Sequence, residues 1–551
     1  MKKGLTLFAF LFTLLVLAGC TQSSNVKVEI NTITPARTSI YFELAVTDPE
    51  EEIAENGLTA VLYYEGNELT RKAPVTKDGV TSVQFDGLSV GYEYEFTVFA
   101  TYGGKSHKMA TGSATTTLVG GTEDNPRLIT TIEDFNNIKN DLSAFYRLEA
   151  DLDFENADFQ NTYGTNAFSG KFDGNGHTIK NITMNLITSY IGLFGYNKGT
   201  IKNLTVENVT LAFTTPTQNV GILAGKNAGL IDNVTLKNSS VTLAYARTGE
   251  IYVGGLVGLS ESSSKITNTT VENVDLDLTI TGRTEPYAGL VAGRTQGAQL
   301  DQVTASGSLD ISSQDTTFVG GLVGSMENVG TIISKLSHAE VTASIEVSID
   351  VLTTLTNDPA MSVYVGGLLG ASLGSTVSQV YSDTDIVVSK VSNTSTNNRE
   401  DDELSIGGIV GITTSNITEA LSTGSIEISN LTGEVFNGFE EVFVGGLAGY
   451  QLGDRVKQSL AYDMVIDITT LSDLTLNVSN GLGNVTSSTA NYFGGSLTVN
   501  DASYTAHLNL TIENSVETPV LTTYDALLET ALDAYFTDTV IQGLLTTLNA
   551  A

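Results

Sequence analysis

From residue 191 onward the chain repeats one pattern of apolar and polar positions. The lines IGLFGYNKGTIKNLTVENVTL (from 191), VGILAGKNAGLIDNVTLKNSSVTL (from 220), VGGLVGLSESSSKITNTTVENVDLDL (from 253) and VGGLAGYQLGDRVKQSLAYDMVIDI (from 444) share a layout. Each holds a Gly-rich run, an I-x-N run and a V-x-L run. Alternate residues within a run are apolar, the period of a strand with one buried face, and no helical phase runs through them. The last glycines of eight successive units are Gly195, Gly225, Gly258, Gly293, Gly324, Gly370, Gly411 and Gly449, spaced by 30 to 46 residues. Such self-similarity marks a stacked-repeat architecture.

Three short strands per coil, stacked in register on the next coil, describe an all-β fold, a right-handed parallel β-helix. One unit cannot hide its apolar residues; stacking hides them and pairs the backbone above and below. Strands in register lie about 4.8 Å apart, so about ten coils give a rod core about 45–50 Å long. Glycines suit the bends, where a positive φ or a missing Cβ relieves crowding. A phosphate cradle is disfavoured, because the spacing is G-G-x-x-G, no helix follows, and the motif recurs where a cofactor site is needed once. The I-x-N run places Asn181, Asn203, Asn233 and Asn268 at one position of four successive coils, as an amide ladder. Gln302, Ser334, Gln379, Glu419 and Gln458 are expected to continue that column.

The flanks differ. Residues 26–118 read as strands throughout, with SIYFELAV, LTAVLYYEG, TSVQFDGL and YEYEFTVFAT separated by turns, the rhythm of a β-sandwich. The stretch Leu88-Ser89-Val90-Gly91-Tyr92-Glu93-Tyr94-Glu95-Phe96 resembles the fibronectin type III pattern of a leucine, a Gly turn and a tyrosine entering a strand. That resemblance implies that Tyr94 packs its ring inward and bonds its hydroxyl to nearby backbone, with Tyr41 or Phe42 in place of the family's tryptophan. After Gly121, Ile132, Phe135 and Ile138 share a helical face, FYRLEADLDF alternates, and FSGKFDGNGHTIKNITM follows. This order of cap, FDGNGHTI and glycine repeats resembles bacterial surface proteins with GLUG repeats, also found in some streptococcal immunoglobulin A peptidases. The β-helix with its N-terminal cap is therefore expected over 122–510, and a last strand with a helical cap (LTTYDALLETALDAYF) over 511–551.

Residues 1–19 read as a lipoprotein signal peptide: Lys2 and Lys3, an apolar run at 5–17, then Leu17-Ala18-Gly19-Cys20. That tetrapeptide resembles the lipobox of bacterial lipoproteins, which implies that Cys20 carries the lipid and that 20–25 is a spacer. The chain would then sit outside the cytoplasmic membrane, held by its N-terminus. Cys20 is the one cysteine among 551 residues, so no intramolecular disulfide forms. With 62 Asp plus Glu against 27 Lys plus Arg, the formal charge of −35 disfavours nucleic acid as a partner.

Candidate chemistry is sparse. A zinc peptidase needs two His one helical turn apart with a Glu, but none of His107, His177, His338 and His507 is followed by Glu. The peptidase half of the resembled family is therefore missing, and no cofactor is expected. Asp173, Asp232, Asp301 and Asp454 scatter through turns without one recurring cluster, and Glu400-Asp401-Asp402-Glu403 reads as a solvated loop with a minor reading as a weak calcium site. Tyr252, Phe318, Tyr364 and Phe443 recur just before the glycines, out of phase with the buried valines, and are expected as an exposed ladder. The excess length falls between the V-x-L run and the next glycines (244–250, 281–286, 357–362, 393–405 and 432–442), so these loops gather along one edge. Together they form the candidate binding flank of a non-enzymatic adhesin or ligand-binding protein whose ligand is an extracellular protein or glycan. The alternatives are a polysaccharide lyase-like or glycosidase-like β-helix enzyme and a purely structural surface protein.

Overall fold

The computed structural model describes residues 25–522 apart from 37, 90, 117–119, 160–163, 186–188, 214–217, 247, 350–360, 391–402, 432–440, 471–473, 480–481, 484–491, 500–501, 505–506 and 514–515. Cys20 and the expected C-terminal helix lie outside the described residues. The chain divides into two compact units, one holding residues up to Gly121 with Asn136–Asn140, the other the remainder.

The first unit is a sandwich of two antiparallel sheets. Its strands are β1 (Lys27–Pro35), β2 (Ser39–Thr47), β3 (Ile53–Tyr64), β4 (Asn67–Lys72), β5 (Val75–Lys77), β6 (Val80–Asp86), β7 (Glu93–Tyr102) and β8 (Lys105–Thr115). One sheet runs β1-β2-β6-β5 and the other β4-β3-β7-β8. Alternate residues of β2 and β7 point inward, and Phe42 stacks on Phe96 with ring centroids 4.3 Å apart. Tyr94 is buried and its hydroxyl accepts a hydrogen bond from the Ser89 amide at 2.9 Å, as the tyrosine pattern implies. Of the two residues offered for the missing tryptophan, Phe42 fills the core, while the half-buried Tyr41 donates its hydroxyl to Glu43.

The second unit is a parallel β-helix of three sheets. The coil at its centre shows the plan. Gly249–Gly254 lies in the first sheet, Val257–Glu261 in the second and Lys265–Thr281 in the third. Each strand pairs in parallel with its equivalents one coil before and after, as Tyr252 does with Asn219 and Tyr287. Before the first coil, a short helix (Ile132–Asn136) drives Phe135 among Phe154, Phe159, Phe172 and Phe194. Its start is fixed by reciprocal caps: Thr131 Oγ1 accepts from the Asp134 amide, and Asp134 Oδ2 accepts from the amides of Thr130 and Thr131. At the other end, antiparallel pairs replace the parallel ones, with His507–Glu513 lying between Leu474–Ser479 and Val516–Thr522.

Three strands per coil were expected, but the divisions fall elsewhere. The Gly-rich run is cut in two: Gly254 ends one sheet and Val257 begins the next. A Cβ on Gly254 would meet the Val257 carbonyl at 1.9 Å, and one on Gly258 would meet the Val220 amide nitrogen at 2.5 Å. Neither glycine has a left-handed φ, so the requirement is for space alone. The I-x-N and V-x-L runs, in contrast, fuse into one long strand bent twice. In Lys265–Thr281 the bends are Asn268 (φ 50) and Asn273 (φ 51). A single left-handed residue turns the strand without breaking its pairing, and Asn tolerates that region because its short amide can hydrogen-bond locally.

The amide column is therefore two columns. Asn203, Asn233 and Asn268 share the first, and Asn181 belongs to the second, opposite Asn208 rather than Asn203. Asn233 donates to Asn203 at 2.8 Å, and Asn208 donates to Asn181 at 3.1 Å. Gln302, Gln379, Glu419 and Gln458 continue the first column, all with φ between 51 and 56. The place expected for Ser334 is held by His338 (φ 49), whose Nδ1 lies 2.7 Å from Asp301 Oδ1. Ser334 is instead fully buried in the preceding turn, where its Oγ accepts from the Gly297 amide.

Candidate ligand-binding cleft

The glycine corner folds the first and second sheets toward one another, so that one column of each sheet faces the other. In the first sheet the column is Tyr190, Asn219, Tyr252, Tyr287, Phe318, Tyr364, Ser405 and Phe443, one per coil. In the second it is Tyr196, Lys226, Leu259, Arg294, Ser325, Ala371, Ile412 and Tyr450. The four aromatics singled out from the sequence thus do share one column. Tyr287 completes it, giving an unbroken run of rings from Tyr252 to Tyr364 with centroids 5.4, 4.4 and 5.3 Å apart.

Their expected exposure is not what the structure shows. Tyr252 and Phe443 are each 6% exposed and Tyr287 4%, because the second column covers them. Tyr252, Tyr287 and Leu259 form one buried cluster, and Phe443 meets Tyr450 edge-on at 4.9 Å. Phe318 and Tyr364, which face Ser325 and Ala371, stay partly exposed.

Arg294 is the most elaborated residue of the cleft. Its guanidinium carbon lies 5.5 Å from the Tyr252 ring and 4.8 Å from that of Tyr287. Nε and Nη2 donate to both oxygens of Glu327 at 3.1 and 2.7 Å, and Nη1 donates to Glu250 at 2.9 Å and to the Tyr252 hydroxyl at 3.2 Å. One side chain thus ties three coils. Burial alone would lower the Arg294 pKa, but the hydrogen bond and charge of Glu327, aided by Glu250, outweigh it and hold the guanidinium protonated. Burial, with the Glu250 hydrogen bond, pushes the Tyr252 hydroxyl up to about 12, and burial pushes Tyr287 up as well. Glu285, one coil beyond Glu250, is raised by burial and by the nearby charges of Asp315 and Glu250. A second cation sits lower in the cleft: Lys226 Nζ is 5.8 and 5.1 Å from the Tyr190 and Tyr196 rings and 2.9 Å from Glu261.

The other sequence candidates resolve as follows. Residues 400–402 lie outside the described residues. Glu403 opens a first-sheet strand, Glu403–Gly407, rather than ending a loop, and accepts from the Tyr364 hydroxyl at 3.4 Å. Likewise Glu441 begins the strand Glu441–Gly445 and Ser362 the strand Ser362–Gly366, and all but two residues of each of 244–250 and 281–286 lie in strands, so all five expected loop insertions are shorter than they read. The insertions do all fall between a third-sheet strand and the next first-sheet strand. His177 pairs with Asp151 at 3.1 Å, and its amide donates to the Gly174 carbonyl at 2.8 Å across a turn. Among the described residues no group of three or more His, Cys, Asp or Glu is arranged to hold a metal ion, and no helix is long and apolar enough to cross a membrane. The acids are less scattered than the sequence suggested. Asp277, Asp310, Glu346, Glu427 and Asp467 occupy one exposed column of the third sheet, interrupted by Val387. Only the phase of the V-x-L run could have revealed it.

No family model matches the chain. A stretch of 167 residues is 32% identical to halomucin of Haloquadratum walsbyi, covering 27% of this chain and 2% of that protein. Another match, 31% identical over 132 residues, is to a protein of Evansella cellulosilytica named as a Gly-rich membrane protein, covering 21% of this chain and 15% of that one. The chain therefore spans a small part of the curated relatives it matches. Among solved structures, a family 28 exopolygalacturonase of Yersinia enterocolitica aligns over 81% of this chain and 92% of its own at 8% identity, with a TM-score of 0.15. That score is too low to carry an argument; the strand pairing itself establishes the β-helix.

Proposed function

We propose that the chain is a lipid-anchored, non-enzymatic surface protein whose β-helix binds an extracellular ligand along the cleft between its first and second sheets. The observation that carries this reading is the unbroken run of rings from Tyr252 to Tyr364, covered at Tyr252 and Tyr287 and left partly open at Phe318 and Tyr364. Flat rings with one face open to solvent are the usual anchors of recognition surfaces. In the partial relatives, the Gly-rich membrane protein's name supports a membrane or surface location, and the lipobox resemblance at Cys20 supplies the means. The sandwich then acts as a spacer of the fibronectin type III kind, which its tyrosine pattern and strand order favour. The glycine repeats fit the GLUG type.

The test is a glycan and protein array probed with the full chain in detergent, beside Phe318→Ala and Tyr364→Ala. Binding that either substitution removes supports the cleft. Ligand binding unaffected by both would place recognition elsewhere.

A further inference from the structure

From the Tyr252 rung onward the ring is covered where the second sheet supplies a bulky side chain, as Tyr287 is by Arg294 and Phe443 by Tyr450, whereas at the first rung Tyr190 stays partly exposed opposite Tyr196. In the lower half the filler is twice a cation seated between aromatic rings and a carboxylate: Lys226 against Tyr190, Tyr196 and Glu261, and Arg294 against Tyr252, Tyr287 and Glu327. The rungs of Phe318 and Tyr364 keep the rings and the carboxylates. Tyr364 donates to Glu403, and Glu327, already paired with Arg294, also accepts from Ser325 at 2.8 Å. Their second-sheet residues, Ser325 and Ala371, are too short to cover the rings, and beyond the first rung these are the rungs whose rings stay partly exposed.

We propose that the Phe318–Tyr364 rungs receive an arginine or lysine side chain from a basic partner peptide, held as Arg294 and Lys226 are held in their own rungs. This occupant rests on the cleft being the binding face and gives the ligand its chemical class. A cation over aromatic faces is attracted by the ring quadrupole, and the attraction grows as the site is desolvated. Neighbouring carboxylates and the chain's formal charge of −35 complement a cation and leave a neutral guest without its ionic partner.

The probe is a fluorescein-labelled peptide of arginines spaced by glycine and serine, titrated into the full chain in detergent and read by anisotropy. Salt of about 0.15 M confines charge attraction to about 8 Å, which suppresses diffuse binding to the acidic surface. Tyr364→Leu is expected to weaken binding about tenfold, the scale of losing about 1.4 kcal/mol of cation–ring contact. Ala371→Arg supplies the cation from within and is expected to weaken binding as much; should it fail to fold, Phe318→Leu takes its place. A chain with Asp277→Asn, Asp310→Asn and Glu346→Gln together, on the third sheet, should lose less than about threefold. Unchanged binding to Tyr364→Leu, or an equal loss in the third-sheet variant, overturns the proposal. A neutral glycan that competes for the cleft on the array would also overturn it, while leaving the cleft as the binding face. If no ligand depends on Phe318 or Tyr364, the cleft reading itself falls.

Discussion

Gly293→Ala isolates the physical demand made by the corners. The added Cβ would lie 2.4 Å from the Val253 amide nitrogen, 2.6 Å from the Tyr287 carbonyl oxygen and 2.9 Å from the Tyr252 carbonyl carbon. Ordinary contacts begin near 3.4 Å, so the overlap approaches 1 Å and falls on backbone that cannot rotate away. Relief requires the strand of the preceding coil to move, and that strand is bonded on both sides. Overpacking of a rigid site costs about 1–3 kcal/mol, and loosening one or two ladder hydrogen bonds adds about 1 kcal/mol each. A loss of about 3–4 kcal/mol is expected. Gly293 is not in the left-handed region, so none of this is a φ penalty. Gly79→Ala makes the converse control: its φ is 80, and nothing lies within 4 Å of the new Cβ. It should cost only the left-handed penalty of about 1–2 kcal/mol. Urea unfolding followed by far-ultraviolet circular dichroism compares the two, with hydrogen exchange of 251–261 reporting local opening, since long repeat arrays need not unfold in one step. A Gly293→Ala chain within about 0.5 kcal/mol of the parent would refute the close-approach argument.

Other consequences can be measured on the same chain. Phe135→Ala empties the centre of a five-ring cluster and should destabilise the capped end by about 3–5 kcal/mol, seen as faster exchange in 145–184. Gln379→Asn, at φ 56, should stabilise by about 0.5–1 kcal/mol in urea titration because Asn accepts the left-handed region more readily. The Glu285 pKa is raised in the folded chain, so its contribution is full below the ordinary carboxylate range and falls away as pH rises through the folded value. Glu285→Gln should therefore raise the urea midpoint at pH 7 and leave it unchanged below about pH 4. Cys20→Ala should move the protein from the membrane fraction to the soluble fraction and abolish labelling by a palmitate analogue; membrane retention would exclude the lipid anchor.

Alternation and period made the coil legible, because a strand with one buried face leaves a two-residue rhythm that stacking repeats. Strand divisions were not legible. A left-handed Asn at 268 looks like a turn in sequence yet bends a strand that continues through it, and two adjacent glycines look like part of a strand yet separate two. The false placing of Ser334 has a particular cause. TIISKLSH contains Ile332-Ile333-Ser334, which imitates the I-x-N triplet, but Ile332 and Ile333 are 37% and 46% exposed in an inserted turn. The true triplet is Leu336-Ser337-His338, with Leu336 buried. Half of the cleft was visible for the same reason as the coil. The first wall stands at a fixed distance before the glycines, and Tyr287 escaped because YAGLVAG carries Ala288 in place of the valine and Leu290 in place of the second glycine. The second wall had a signal too: Leu259, Arg294, Ala371 and Tyr450 each follow the unit's last glycine directly. What no pattern disclosed is that the corner turns these two columns face to face, which converts an exposed ladder into a mostly filled cleft.

Stacking itself is tested most directly by distance along one column. Thr242, Val387, Glu427 and Asp467 occupy the same position of the third sheet, with Thr242 four, five and six coils from the others. Nitroxide labels placed in pairs from residue 242 to 387, 427 and 467 should give pulsed electron resonance distances rising by about 4.8 Å per coil, to about 19, 24 and 29 Å. Distances that fail to rise by one strand spacing per coil, or that scatter broadly, would contradict the stacked coil on which the cleft and its ligand depend.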